Sequence, residues 1–340
     1  MLPFVSTILI TYNEEEHIKK SLNSLLHQTY PSDRREIIIV DGGSSDCTLE
    51  IVSECIAEYD KFLLDKNIPP IDSIILHNEK RILSSGWNIA IKHAIGEYVV
   101  RIDAHSYVAD NFIEESVNTY KLLEDDCIVC IGGSMETISN SDLGMLIVES
   151  LSSPFGIGNS KFRYLKKPGY VDTVAYGLYK KALFDKIGYF DETLVRTQDN
   201  DLHRRAREIG GKFYLNPEIK SYYYSRNTIK KLVNQQLQNG KWTMINFMQR
   251  PGKMAIRHFI PFLFVSALTV GLLLSIFFPF FLWLVLCIVV LHLTCGLYFA
   301  AKRTSNKIHK AKMPLLFLLI HICYGTGSYL GLLYKKKKHE

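Results

Sequence analysis

Along the N-terminal third of the chain, short runs of apolar, mostly β-branched side chains alternate with longer stretches whose apolar positions recur at helical spacing. The runs "FVSTILI", "REIIIV", Ile71–Leu76 and Tyr98–Ile102 have the length and composition of strands. Between them, Glu14–His27, Thr48–Tyr59 and Leu83–Ala94 read as helices. Such alternation predicts parallel strands joined by right-handed crossovers, a doubly wound α/β sheet. Farther on, Phe112–Leu123 reads as a helix and "CIVCIGG" as a strand, while Leu143–Phe162, interrupted by glycines, reads as a mobile or substrate-shaped segment. "DTVAYGLYKKALFDKIGYFDETL" reads as strand, helix and turn, "TQDNDLHRRAREIG" as a helix opened by acids, and "KFYLNPEIKSYYY" as a strand.

From Phe259 the pattern changes. Phe259–Phe278 and Phe280–Ala301 are almost uncharged, and at about twenty residues each they are long enough to span a bilayer. Pro279 leaves a tight hairpin between them, and Met313–Tyr334 is a third candidate with basic residues on both sides. The expected organisation is a soluble domain over residues 1–250 and a membrane region over 251–340. A formal charge of +6 is too small for a nucleic-acid footprint. Much of it sits on Lys302, Arg303, Lys307, Lys310, Lys312 and Lys335–Lys338, beside the apolar segments, as at the cytoplasmic face of a membrane. If the domain and the Lys302–Lys312 loop are cytoplasmic, a spanning third segment would export Lys335–Lys338, so a re-entrant or interfacial path stays open. The 7 cysteines have no framework spacing, and Cys127–Cys130 lies on a strand pattern, which fits buried thiols in a reducing compartment. The N-terminal "MLPFVSTILITYNEEE" reads as a strand, not a signal peptide.

Ligands of doubly wound sheets bind beyond the carboxyl ends of the strands. Polar clusters fall there: Thr11–Glu14, Asp41–Ser44 and Asp103–His105. Asp41 can accept a hydrogen bond from a base imide, although its glycines and Ser45 or Asp46 also make an ordinary capped turn. Tyr12 offers a stacking surface, and Glu14 lies beside it in an acidic helix start that the helix dipole alone would favour. Asp103 and His105 pair a carboxylate with an imidazole, a set that suits Mg2+ or Mn2+ bridging phosphate oxygens, with water completing the shell. Asp199 and Asp201 precede Arg204, Arg205 and Arg207. Capping and ion pairing explain them, and so does a general base whose neighbour raises its pKa. Lys241 and Trp242 are candidate substrate-binding residues, with Lys241 as a phosphate contact, although a tryptophan near a membrane boundary also reads as an interfacial anchor.

Taken together and in this order, these residues resemble a family-2 glycosyltransferase, over roughly Val5 to Trp242. The resemblance implies a GT-A fold: a doubly wound, nucleotide-binding, Rossmann-like mixed sheet, here with C-terminal transmembrane helices. It implies that Tyr12, Glu14 and Asp41 hold base and ribose. The family's Asp-x-Asp motif, on Asp103-Ala104-His105, would bind the diphosphate and its metal. Its Glu-Asp motif falls on Gln198-Asp199, with Asp199 as base, and Asp201 is expected to cap a helix starting at Leu202. The Gln-x-x-Arg-Trp motif of membrane synthases falls on Gln238 to Trp242, with Lys241 in place of arginine. Asp-Ala-His resembles the version in the succinoglycan glucosyltransferase subgroup. The expected function is inverting transfer from a nucleoside-diphosphate sugar, by expectation a UDP-sugar, to a polyprenyl-diphosphate-linked saccharide. The expected place is the inner (cytoplasmic) membrane, with the catalytic domain cytoplasmic, in surface polysaccharide synthesis and without nucleic acid. A processive synthase and a non-catalytic sugar-nucleotide-binding protein are the alternatives.

Overall fold

The structure, a computed structural model of the whole chain, describes residues 1–139, 141–157, 165–194, 196–224, 228–249 and 258–334. Two compact units divide the chain. Met1–Glu136 and Lys161–Tyr224 form the first; Thr137–Ser160 and Ser225–Glu340 form the second.

The first unit opens with β1 (Val5–Thr11), α1 (Ile18–Leu26), β2 (Arg35–Asp41), α2 (Thr48–Leu64), β3 (Asp72–His77), α3 (Leu83–His93) and β4 (Tyr98–Asp103). These strands pair in parallel in the order β3-β2-β1-β4, as the alternating pattern predicts. The sheet then becomes mixed. β5 (Ser106–Val108), α4 (Phe112–Leu123), β6 (Ile128–Ile138), β7 (Gly169–Val171), β8 (Ala175–Lys180), α7 (Ala182–Ile187), α8 (Gln198–Glu208) and β9 (Lys212–Tyr224) follow. β8 runs antiparallel to β4, and the order continues through β6 and β9 to β5, with β7 also on β9. β5 and β7 are too short to stand out as apolar runs in the sequence.

Why the central strands read as continuous apolar runs is visible in their two faces. Ile37, Ile39, Val100 and Ile102 pack with α1, α2 and α4, whereas Ile38, Val40 and Val99 pack with α3, α7 and α8. Both faces are covered, so neither can be polar. Strand alternation assigns Arg101 and Asp103 to the face of Val99, the α3 and α8 side. A second buried arginine, Arg35, serves the fold: its guanidinium donates to the carbonyls of Leu25, Leu26 and Tyr30. It thereby satisfies the C-terminal end of α1, where carbonyls lack intrahelical donors.

In the second unit lie α5 (Asp142–Leu151), α6 (Pro154–Ile157), α9 (Ile229–Gln249), α10 (Ile260–Ser275), α11 (Phe280–Arg303) and α12 (Lys307–Leu332). α9 and α12 cross closely because Gly240 and Gly327 face backbone: a Cβ at either would collide with the carbonyl of Tyr324 or Leu237. His292 Nε2 lies 2.8 Å from His321 Nδ1, and His321 Nε2 lies 2.8 Å from the Phe155 carbonyl oxygen. This polar chain joins α11, α12 and α6 within apolar packing. Among the described residues two helices are long and apolar enough to cross a membrane: α11 with 24 residues and α12 with 26. The first expected span, 259–278, instead gives a helix of 16 residues, about 24 Å at 1.5 Å per residue. Ile276 and Phe277 bond back to Leu273 and Leu274 in tightened turns, and Pro279 then starts α11. The third segment, left open above, forms the longest helix. Lys335–Lys338 lie outside the described residues.

His203 on α8 is fully buried, with its ring nitrogens 2.8 Å from Thr173 Oγ1 and 2.7 Å from Tyr179 Oη. Burial pushes its pKa down to about 3, against a smaller upward pull from Asp199. An unfolded histidine titrates near 6.5, so between those values the unfolded chain binds the extra proton. Its contribution to stability is therefore complete above about pH 6.5 and is lost progressively as pH falls towards 3. His203→Gln should lower the melting temperature at pH 7.5, and the gap to wild type should narrow by pH 5. A gap that is constant or wider at pH 5 contradicts a buried neutral imidazole.

Candidate active site

The site is built where β1, β2 and β4 end. The loops after β1 and β2 are locked together by reciprocal hydrogen bonds. Asn13 N–H donates to Ser44 Oγ at 2.9 Å, and Ser45 N–H donates to Asn13 Oδ1 at 2.8 Å. Glu14 N–H donates to Thr48 Oγ1, and Cys47 N–H donates to Glu15 Oε2. These bonds hold Glu14–His17 as turns, so α1 begins at Ile18, four residues later than the sequence suggests. The glutamates that were expected to open a helix serve the neighbouring loop instead.

Asp41 ends β2 and is buried. Its Oδ2 accepts from the Gly43 and Ser44 N–H groups at 2.7 and 2.9 Å, and its Oδ1 accepts from Ser44 Oγ at 2.6 Å. Gly43, at φ +81°, supplies the left-handed backbone this turn needs. The carboxylate thus shapes its own turn. Tyr12 is half exposed and packs over Gly42, where a Cβ would come within 3.3 Å of the ring. Arg81, which the sequence reading passed over, lies with its guanidinium 5.8 Å from the Tyr12 ring centroid. Its signal is positional: "NEKR" follows β3, the remaining strand end of the parallel set.

Asp103 ends β4. The Tyr176 hydroxyl lies 3.4 Å from its Oδ2 and 2.5 Å from Ser106 Oγ. Burial pushes the Asp103 carboxyl up, with His105 and Arg101 pulling down and Asp199 adding to the rise. His105 Nδ1 lies 3.3 Å from Glu14 Oε1, and its ring meets Tyr223 edge-on at 5.2 Å. A carboxylate beside Nδ1 is the usual second partner of a ligating imidazole. Among the described residues no three His, Cys, Asp or Glu side chains converge as a closed metal centre. One carboxylate and one imidazole fit a divalent cation that draws its remaining ligands from phosphate and water.

Asp199 lies in the first turn of α8, with its Oδ1 2.5 Å from Arg101 Nη2. Arg101 is almost wholly buried, while the Asp199 side chain is 43% exposed. Burial opposes the charge on Arg101, and the Asp199 carboxylate outweighs it, holding the guanidinium above its usual value. Asp201 does something else. α8 begins at Gln198 and not Leu202, so Asp201 lies inside the helix with a fully buried side chain. It bonds Arg204 Nη2 and Arg205 Nε at 2.9 Å each. The ion-pair expectation holds and the capping one does not, because Thr197 at φ +63° starts the helix early. Lys241 and Trp242 lie on α9 in the second unit, with Lys241 Nζ 5.2 Å from the Tyr334 ring centroid. Of the six non-glycine residues with positive φ among the described residues, Asn13, Arg81, Tyr176 and Thr197 adjoin these groups. Backbone strain of that kind gathers at functional sites.

The sequence model of the family described as glycosyl transferase family 2 matches residues 6–188. The dolichyl N-acetyl-alpha-D-glucosaminyl phosphate 3-beta-D-2,3-diacetamido-2,3-dideoxy-beta-D-glucuronosyltransferase of Methanococcus voltae is 30% identical over 333 residues, 97% of either chain. The succinoglycan biosynthesis protein ExoA of Rhizobium meliloti is 27% identical over 266 residues, 78% of this chain and 76% of its own. The mannosyltransferase PcManGT of Pyrobaculum calidifontis, solved with GDP-Man and Mn2+, shares the fold at TM-score 0.59 and 18% identity, over 99% of this chain and 89% of its own.

Asp201→Asn should lower the unfolding free energy by about 3 kcal/mol or more, because it strands two guanidinium groups against a buried amide. Denaturant unfolding of the purified chain measures this. A loss of about 1 kcal/mol, the size of a capping effect, would contradict the buried-pair assignment.

Proposed function

The chain belongs to glycosyl transferase family 2, and on that premise we propose that it transfers a sugar, with inversion, from a nucleoside-diphosphate sugar to a lipid-linked saccharide. The observation that carries the reading is the pairing of two strand-end features. Asp103 ends β4 with His105 two residues beyond it, and Arg101, two residues before Asp103, holds Asp199. Donor-side and base-side groups are thereby fixed to one strand.

In this reading Tyr12 stacks on the base, Asp41 and Glu14 hold base and ribose, and Asp103 and His105 lie at the diphosphate. A divalent cation on that pair, Mg2+ or Mn2+, would neutralise charge on the departing diphosphate. Asp199 takes the proton of the acceptor hydroxyl as its oxygen attacks the anomeric carbon from the face opposite the diphosphate. Its Oδ1 is engaged by Arg101, so Oδ2 is the atom that receives the proton. A UDP-sugar is the donor class.

The acceptor is a saccharide on a polyprenyl phosphate or diphosphate at the cytoplasmic leaflet of the cell membrane. Two features support this: helices α11 and α12 are long enough to span, and the Methanococcus voltae relative is named for a dolichyl phosphate substrate. The product feeds a surface glycan.

Asp199→Asn should keep donor affinity, measured by calorimetry, and lose transfer by a factor on the order of a hundred or more. Transfer at the wild-type rate would end the base assignment. Excess chelator should abolish transfer and added Mn2+ should restore it; full turnover in chelator would remove the metal from Asp103 and His105.

A further inference from the structure

A charged side chain in the middle of a sheet buried on both faces needs a reason. Arg101 pairs with Ile8 on β1, and its guanidinium is pressed on the indole of Trp87 at 3.7 Å from the ring centroid, with Phe190 at 5.2 Å. Trp87 and Phe190 are themselves in ring contact at 4.8 Å. Asn88 fixes Phe190 from both ends of its peptide: Nδ2 donates to the Phe190 carbonyl and Oδ1 accepts from the Phe190 N–H, each at 2.9 Å. Asn88 Nδ2 also reaches Glu192 Oε1, and Lys80 holds Glu192 Oε2 at 2.6 Å. The segment that leads into α8 is therefore fastened to α3, and the guanidinium is held on a flat aromatic face.

Arg101 touches Asp199 through a single ion-pair contact, Nη2 to Oδ1, that lacks hydrogen-bond alignment, while its Nε is buried without a hydrogen-bond partner. Had the pair served the fold alone, the two-pronged grip typical of arginine and carboxylate would use both oxygens. Here one oxygen is anchored and the other carries no ion pair or hydrogen bond among the described residues. We propose that Arg101, stacked on Trp87, is a positioning residue that anchors Asp199 by one oxygen and presents the other to the acceptor hydroxyl. The inference rests on Asp199 acting as the base. Arg101 itself meets neither donor nor acceptor. Its effect belongs in kcat and not in donor binding, and it should vanish when Asp199 can no longer take a proton.

The test uses the full chain in detergent with a sugar-nucleotide donor and lipid acceptor, and compares Arg101→Met, Arg101→Lys, Asp199→Asn and the Met/Asn double variant. Arg101→Met should lower kcat by about tenfold to a hundredfold with donor affinity unchanged, the pattern of a lost transition-state interaction. The double variant should be no slower than Asp199→Asn alone, since residues acting as one unit are not additive. Arg101→Lys keeps the charge but loses the planar stack, so its kcat should fall between wild type and Arg101→Met. It carries the test if the Met variant folds poorly. With Asp199→Asn inactive, wild-type kcat in Arg101→Met overturns the proposal. So does a double variant that multiplies the two losses, a loss confined to donor affinity, or a Lys variant no better than Met. An active Asp199→Asn enzyme would instead overturn the base assignment, and this inference with it.

Discussion

The ion pair between Arg101 and Asp199 is the interaction on which the rest of the site depends. Withdrawing a guanidinium from water costs several kcal/mol, and a partner carboxylate recovers this only with good geometry. Here the cation also lies on the face of Trp87, a second source of attraction in a dry setting. The site tolerates a buried charge because three elements converge on it: β4 supplies the arginine, α3 the indole and α8 the carboxylate. Each is held in turn by its own apolar residues on the same sheet face, among them Val99, Ala90, Leu202 and Ala206.

A second constraint is the mutual fastening of the loops after β1 and β2. Asn13 donates to Ser44 and accepts from Ser45 across the two loops, and Asp41 closes its own turn. Side chains that bind a nucleotide gain affinity when they need little reordering, and this lock leaves little to order. The residues with positive φ around it indicate where stability is spent on shape.

Much of this was legible in the sequence, for physical reasons. The strands of the parallel set are buried on both faces and so read as unbroken β-branched runs; strand-end polar clusters then mark a crevice. Arg101 is the lone charge in the Tyr98–Ile102 run, and strand alternation puts it on the face of Val99, which the structure packs with α8. Other features depend on tertiary partners that no local pattern carries. α1 starts late because Glu14 and Glu15 bond to the next loop. α8 starts early at a left-handed Thr197, which turned Asp201 from a cap into a buried clasp for Arg204 and Arg205. α9 went unseen around Gln238 to Trp242 because its stability comes from close packing on α12 through glycine, a residue that weakens any local helix signal. Arg81 was missed because a basic residue in a turn looks like ordinary surface until Tyr12 is found beside it.

The central claim is that one crevice, at the carboxyl ends of β1, β2 and β4, holds a nucleoside-diphosphate sugar with Asp199 opposite the leaving group. The most direct test is an experimental structure of the full chain with a UDP-sugar and Mn2+. The account predicts the diphosphate at Asp103 and His105, the base against Tyr12, and the Asp199 carboxylate on the far face of the anomeric carbon with Arg101 still on its other oxygen. A donor bound with a different carboxylate on that face, or with Asp199 turned away from the sugar, would contradict it.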